Sequence, residues 1–318
     1  MKILVTGGAG FIGSNLVYSL LEDKRVSSVR VLDNYATGSP DNLKQLSSNS
    51  RFEFMEGDIR KFDDCLKACE NIDLISHQAA LGSVPRSIKD PITTNDVNIG
   101  GTLNIFTAAK EKGIKRVIYA ASSSTYGDHP GLPKVEQNIG KPLSPYAVTK
   151  YVNELYAGVF YKVYGLETIG LRYFNIFGPR QNPAGPYAAV IPLFAEALLQ
   201  HKSPLINGDG KQSRDFTYVD NAVLANKLAL FTDNKEAVNE VYNIACGEQT
   251  SLLELFEYLR KIAGSDLRPN HGPERKGDVM HSLADISKAA TLLNYKPVVT
   301  IKEGLAKTFD WYKQNAGQ

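Results

Sequence analysis

Met1-Lys2-Ile3-Leu4-Val5-Thr6-Gly7-Gly8-Ala9-Gly10-Phe11-Ile12-Gly13 opens the chain and decides its architecture. Lys2–Thr6 is a largely apolar run ending in glycine, as a parallel strand buried on both faces would be. Ile12, Leu16, Leu20 and Leu21 then recur at helical spacing and predict a helix over Ile12–Leu21. Between strand and helix, Gly8, Gly10 and Gly13 fit G-x-G-x-x-G, while Gly7, Gly10 and Gly13 fit the related G-x-x-G-x-x-G. Glycine permits the tight turn and lets backbone approach a pyrophosphate, and the helix start supplies unpaired N–H groups and a positive dipole end. Gly7, Gly10, Phe11, Ile12 and Gly13 are therefore expected to cradle a dinucleotide.

Working outward, Asp33 ends the second expected strand, 20 residues after Gly13. A carboxylate there binds ribose hydroxyls and repels a 2′-phosphate, and Asn34 and Tyr35 follow it rather than arginine, so NAD is favoured over NADP. Asp58 and Ile59 after the third strand, and Gln78, Ala79 and Ala80 after the fourth, are placed to line the adenine and the middle of the cofactor. Strand-like runs at Val29–Leu32, Phe52–Glu56, Asp73–His77, Val117–Ala120 and Thr168–Arg172 alternate with helical stretches, notably Asn95–Lys112 and Pro145–Tyr164. That alternation predicts an α/β fold with a doubly wound parallel sheet. Residues 1–176 form the expected dinucleotide-binding domain, with segments 213–245 returning to it. Turn-rich texture after Phe177 marks 177–318 as a smaller, mainly substrate-binding lobe.

Bulk properties narrow the partners. A formal charge of +2 with scattered Lys and Arg predicts no nucleic-acid partner. No apolar stretch approaches the ~20 residues of a membrane span, and Met1 runs straight into a motif without room for a signal peptide, so a cytoplasmic location is expected. Cys65 and Cys69 lie one helical turn apart, but no histidine falls into ligand spacing with them or with Cys246. No metal site is expected.

Tyr146-Ala147-Val148-Thr149-Lys150 places a phenol and an ammonium at i and i+4 on one helix face. An alcohol that loses hydride must also lose its hydroxyl proton, and free tyrosine, with a pKa of about 10, is a poor base. Lys150 beside it, and the positive nicotinamide, favour phenolate. Ser122, at the end of the expected strand Val117–Ala120, is placed to share the same hydroxyl and relay the proton.

These pieces resemble the extended short-chain dehydrogenase/reductases, and within them the nucleotide-sugar 4-epimerases, over essentially the whole length. The matching stretches are TGGAGFIG at 6–13, DIR at 58–60, HQAA at 77–80, SSSTYGD at 122–128, SPYAVTK at 144–150, LRYFNIFGPRQ at 171–181, INGDGKQSRDF at 206–216 and KGDVMHSLAD at 276–285. The resemblance implies bound NAD that takes hydride from C4 of a UDP-sugar and returns it to the other face of a 4-keto intermediate. Tyr146 then resembles the base, Lys150 the cation that lowers its pKa, and Ser122 the shuttle, with Tyr173 and Asn98 near the cofactor. Asn175, Arg214 and Arg275 resemble the diphosphate contacts, Asp278 the uridine-ribose contact, and Asn207 edges the uridine pocket.

The small Ser282, where epimerases of plain glucose and galactose carry tyrosine, leaves room for a 2-acetamido group. Gly82 and Gln181, with the run at 82–87, look like the branch preferring N-acetylated sugars, and Ser123 and Ser124 are placed to bond the sugar. Plain and uronic acid sugars are the alternatives. A 4,6-dehydratase resembles this pattern less, because its Asp-Glu pair is replaced by Ser123 and Ser124. A non-catalytic regulator would have lost Tyr146 or Lys150. The resemblance also implies a homodimer through a four-helix interface built from the outer faces of Asn95–Lys112 and Pro145–Tyr164.

Overall fold

The computed structural model of the chain describes residues 1–183, 188–273 and 280–315. Strands β1 (Lys2–Thr6), β2 (Ser28–Asp33), β3 (Phe52–Glu56), β4 (Leu74–His77), β5 (Arg116–Ser122) and β6 (Glu167–Tyr173) fall within two residues of the expected runs. With Glu240–Ile244 they form a seven-stranded parallel sheet in the order Glu240–Ile244, β6, β5, β4, β1, β2, β3. The chain winds outward from β1 to β3, then crosses back to β4 on the other side of β1. The fold is doubly wound α/β, and its switch point lies between the carboxyl ends of β1 and β4.

Burial on both faces shows along single strands. Ile3 and Val5 enter one core and Leu4 the other. Helix α1 (Phe11–Glu22) and the helix Val219–Phe231 cover the first face with Leu16, Val17, Leu20, Val219 and Ala225. Helix α2 (Phe62–Ala68), Gly101–Glu111 and Pro145–Tyr164 cover the other with Cys65, Ile105, Phe106 and Phe160. Burial there pushes the Cys65 and Cys69 thiols up to about 12, which leaves them inert.

The long helix Pro145–Tyr164 starts where Ser144 accepts from Ala147 N–H at 3.1 Å with Pro145 in the first turn, and ends at Gly165 in the left-handed region at φ +72°. Its neighbour departs from expectation. Instead of one helix over Asn95–Lys112, a short helix Pro91–Asn95 is joined to Gly101–Glu111 by a π-helical turn at Asp96–Gly100. Inside that turn the Asn98 side chain is drawn to the backbone of Leu81.

The later residues divide between sheet and lobe. Val219–Phe231 and Glu240–Ile244 lie on the sheet. The helices Val190–Leu199, Leu252–Ile262 and Ile301–Asn315 pack together beside it, with Phe194 and Phe256 edge to face at 6.1 Å.

Candidate active site

Thr6, Asp33, His77, Ser122 and Tyr173 are each the last residue of a strand, so the sheet delivers them to one edge. Beside that edge opens a cavity of about 560 Å³. It is lined by Gly7, Gly10, Phe11, Ile12, Gly13, Asp33, Asn34, Asp58, Ile59, Gln78, Ala79, Ala80, Gly82, Ser122, Tyr146, Lys150, Tyr173, Asn175 and Gln181. Candidate residues spread over 175 positions of sequence thus meet at one site.

Of the two glycine readings left open by sequence, the one beginning at Gly7 describes the cavity wall. Gly7 has φ +69°, and a Cβ there would lie 2.6 Å from Ala79 N. A Cβ on Gly13 would lie 2.1 Å from Gly7 O. Gly8 instead faces Val31, away from the cavity. No side chain caps α1 at Gly10, so the N–H groups of its first turn have only their dipole end to present. A pyrophosphate fits that donor set.

Asp33 accepts Ala9 N–H on one oxygen at 2.9 Å and Tyr35 N–H on the other at 2.8 Å. Burial raises its pKa while these bonds oppose the rise. Asn34 N–H donates to the same carboxylate, which leaves one acceptor direction for a ribose hydroxyl. Arg60, which closes the DIR stretch and also lines the cavity, is held by Asp58 through Nε and a terminal nitrogen and so is not presented to a 2′-phosphate. Its guanidinium also holds the Asp58 carboxyl below its usual range.

At the other end, Tyr146 lies under the end of β5. Ser122 Oγ accepts from both Ser124 N–H (3.2 Å) and Ser124 O–H (2.9 Å), which turns its own proton outward to donate. Burial raises the Tyr146 phenol above its ordinary value, and its hydrogen bond with Ser122 offsets part of that. Lys150 Nζ lies 5.9 Å from the phenol ring centre and donates to Ala120 O at 2.7 Å. Burial pushes this ammonium down to about 8, with the charge of Glu154 one turn on acting the other way. The protein alone therefore keeps the phenol protonated. Making it a base would need a further positive charge beside it.

The wall behind is tied by bonds no local reading reveals. Gln78 donates to Ser76 Oγ (2.9 Å) and to Asn226 Oδ1 (3.0 Å), and accepts from Tyr173 O–H at 3.1 Å. Asn226 donates in turn to Tyr173 Oη at 2.7 Å. Sequence reasoning missed Asn226, because its partners lie 53 and about 150 positions away with no spacing signal. Leu81 also lines the cavity and was missed, although it directly follows the chosen Ala80, while Ser83 lines it from within the run at 82–87.

Several candidates sit elsewhere. Asn98, expected near the cofactor, is fully buried behind the wall. Its Oδ1 accepts Leu81 N–H (2.8 Å), and its amide donates to Leu81 O and Thr149 Oγ1 (3.1 Å each). Ser123 and Ser124 follow the cavity-lining Ser122 in a 3-10 turn and do not line the cavity themselves, Ser124 being bonded to Ser122. Asn207, Arg214 and Ser282 belong to the neighbouring lobe and do not line this cavity. There Arg214 donates to Ser213 O and Met280 O, and Ser282 N–H donates to Ser213 O at 3.0 Å. Arg275 and Asp278 lie outside the described residues.

Residues 3–245 match the model of the NAD dependent epimerase/dehydratase family. Three solved structures are similar along nearly the whole chain. A UDP-N-acetylglucosamine 4-epimerase from Methanobrevibacter ruminantium M1, in complex with UDP-N-acetylmuramic acid, is 40% identical with a TM-score of 0.93, covering 99% of this chain and 98% of that one. A UDP-glucose 4-epimerase with UDP-glucose from Thermotoga maritima is 37% identical with a TM-score of 0.92, covering 99% and 100%. A UDP-glucuronic acid 4-epimerase from Bacillus cereus, with UDP-glucuronic acid and NAD, is 37% identical with a TM-score of 0.91, covering 99% and 100%.

Proposed function

The chain belongs to the NAD dependent epimerase/dehydratase family, with NAD as its cofactor, and we propose that it is a UDP-sugar 4-epimerase acting on UDP-N-acetylhexosamines. Bound NAD would supply the hydride acceptor and donor for C4 of the sugar. The cofactor is held by the turn Gly7–Gly13, by Asp33 on a ribose and by the wall Gln78–Ala80. Tyr146 takes and returns the C4 hydroxyl proton, Ser122 orients that hydroxyl, and Lys150 sustains the phenolate. Asn175, Arg214, Arg275 and Asp278 hold the UDP, with Asn207 at the uridine edge. Gly82 and Gln181 bound the sugar from the cavity wall, with Ser282 approaching from the lobe side.

The preference for a neutral, bulky hexose rests on one observation above all. The cations lining the cavity among the described residues are Arg60, paired with Asp58, and Lys150, occupied by Ala120 O. Both cations already have partners, so neither is set aside for a sugar carboxylate, and a Cβ at the exposed Gly82 would meet nothing within 4 Å, so the wall is open where an acetamido group would sit. The similarity to the UDP-N-acetylglucosamine 4-epimerase supports this reading. The test is a kinetic comparison of UDP-N-acetylglucosamine, UDP-glucose and UDP-glucuronate, with products separated as sugar nucleotides. A higher kcat/KM for either of the latter two refutes the preference, and a lack of any C4 epimer refutes the reaction.

We also infer a homodimer. Val148 (45% exposed), Leu155 (53%) and Val159 (49%) form one stripe along the outer face of Pro145–Tyr164, beside Ile92 (74%). A second copy of the same face would cover it in a four-helix arrangement. Light scattering showing only single chains would discard this. No helix among the described residues is long and apolar enough to cross a membrane. Three cysteines, an odd number, favour a reducing compartment, and we place the protein in the cytoplasm.

A further inference from the structure

Residues 178–181 leave the sheet for the sugar lobe in a strained path. Gly178 has φ +151°, and Arg180, a non-glycine residue, sits in the left-handed region at φ +68°. What holds Arg180 there is helix α1. Its guanidinium donates to Asn15 Oδ1 at 2.7 Å and lies 4.3 Å over the ring of Tyr18. Asn15 answers from its other end, donating to Pro179 O at 3.1 Å and to Phe11 O at 2.9 Å. Phe11, Asn15 and Tyr18 are spaced i, i+4 and i+7, one stripe of the helix whose first turn forms the phosphate cradle. The residue following Arg180 is Gln181, which lines the cavity together with Asn175 and Ile176.

No carboxylate pairs with Arg180 among the described residues. An ion pair would hold a charge, whereas an amide oxygen and an aromatic face hold a planar guanidinium in one orientation. The bond with Asn15 runs in both directions across the boundary between lobes. A second tie on the same loop runs elsewhere: Tyr312 O–H, on the helix Ile301–Asn315, donates to Gln181 O.

We propose that Arg180 is a positioning residue that clasps the sugar-lobe loop 178–181 onto the cofactor-binding helix, so that NAD retention and the shape of the sugar pocket depend on the same side chain. It touches neither reactant. Its two ends of influence are Phe11 on the cradle and Gln181 on the sugar wall.

The test compares purified holoenzyme carrying Arg180→Met, Arg180→Lys and Tyr312→Phe. NAD retained after timed gel filtration is measured alongside KM and kcat for whichever UDP-hexose is turned over. Arg180→Met is expected to lose NAD about tenfold faster and to raise the sugar KM by a similar factor, what one charge-assisted hydrogen bond carries, with kcat at saturating NAD and sugar unchanged. Arg180→Lys keeps the charge without the planar stack and falls between. Tyr312→Phe loosens the loop from its other side, so it raises KM and leaves NAD retention at the parental rate. Parental NAD retention in both Arg180 variants, or equal NAD loss in Tyr312→Phe, overturns the proposal. Should Arg180→Met not fold, Arg180→Lys decides alone. The NAD readout stands whichever sugar is preferred.

Discussion

Acidification from about pH 7 to about pH 5 acts on two buried groups of this protein with opposite sign. His77 is buried between two hydroxyls: Nδ1 lies 2.6 Å from Thr6 Oγ1, and Nε2 lies 3.0 Å from Thr102 Oγ1. The Thr102 proton goes to Asn98 O at 2.6 Å, so Thr102 accepts from His77 Nε2–H, and Nδ1 accepts from Thr6. Thr6 Oγ1 in turn accepts Ala79 N–H at 3.3 Å. This one-way chain uses neutral imidazole, and burial, helped by the charge of Lys150, pushes its pKa from 6.5 down to about 3. A histidine depressed in the fold leaves the unfolded chain binding the extra proton, so stability falls as pH drops below 6.5. At 1.36 kcal/mol per unit, the loss by about pH 5 is about 2 kcal/mol.

Asp215 works the other way. Its carboxylate is fully buried and accepts N–H from Cys246 (2.9 Å), Gly247 (3.0 Å) and Ala284 (3.3 Å), yet burial dominates and raises its pKa from 3.8 to about 6. A raised carboxyl stabilises below its folded pKa, so the same acidification returns about 1.4 kcal/mol. The two nearly cancel in the wild type. Urea unfolding of wild type, His77→Gln and Asp215→Asn at both pH values separates them. Relative to wild type, His77→Gln should gain about 2 kcal/mol on acidification and Asp215→Asn should lose about 1.4 kcal/mol, all other titrations cancelling in the difference. Variant and wild-type stabilities that move in parallel would refute the assignment of neutral, buried His77.

Four further outcomes follow from the site and its frame. Tyr146→Phe should lower turnover by at least ~100-fold while NAD stays bound, checked by steady-state rates and dinucleotide content. Burial brings Lys150 to about 8, so on its proposed role in sustaining the phenolate kcat/KM should fall as pH rises through that value, and Lys150→Met should lack that limb. Ser282→Tyr should depress kcat/KM for acetamido sugars about tenfold relative to plain ones, the scale of lost pocket fit; equal effects on both discard the pocket argument. Arg116 is buried, bonded to Glu167 at 2.7 Å and to the carbonyls of Ala229, Leu230 and Thr232. Arg116→Met should therefore cost about 3–5 kcal/mol in urea unfolding without altering sugar preference.

What sequence made legible was local. A strand–glycine–helix junction, an acid at a strand end and a phenol four residues before an ammonium are short-range patterns, and their chemistry travels with them. The strand Glu240–Ile244 was not read from its residues, because its buried Asn243 answers to distant groups: Glu136 Oε1 accepts its N–H, and its amide donates to Lys134 O and Asp285 O. The break at Asp96–Gly100 was hidden for the same reason, since apolar periodicity continues through it while Asn98 serves Leu81. In the later lobe, placement depends on contacts between remote loops, so Asn207, Arg214 and Ser282 could be named from resemblance but not located by spacing.

The sheet itself separates stability from chemistry. Toward the amino ends of the strands, arginines meet the carbonyls left open where helices finish. Arg30 donates to Lys67 O, Ala68 O and Glu70 O at the end of α2, and Arg51 donates to Leu21 O and Val26 O at the end of α1. Arg116 does the same for Val219–Phe231. Each places a cation at the negative end of a helix dipole and satisfies its orphan acceptors. The opposite end of α1 is left without a side-chain cap. Capping it with a residue such as Ser at Gly10 would stabilise the helix in isolation but would spend the N–H groups that a pyrophosphate needs, so at the proposed cofactor site the uncapped terminus exchanges helix stability for pyrophosphate binding.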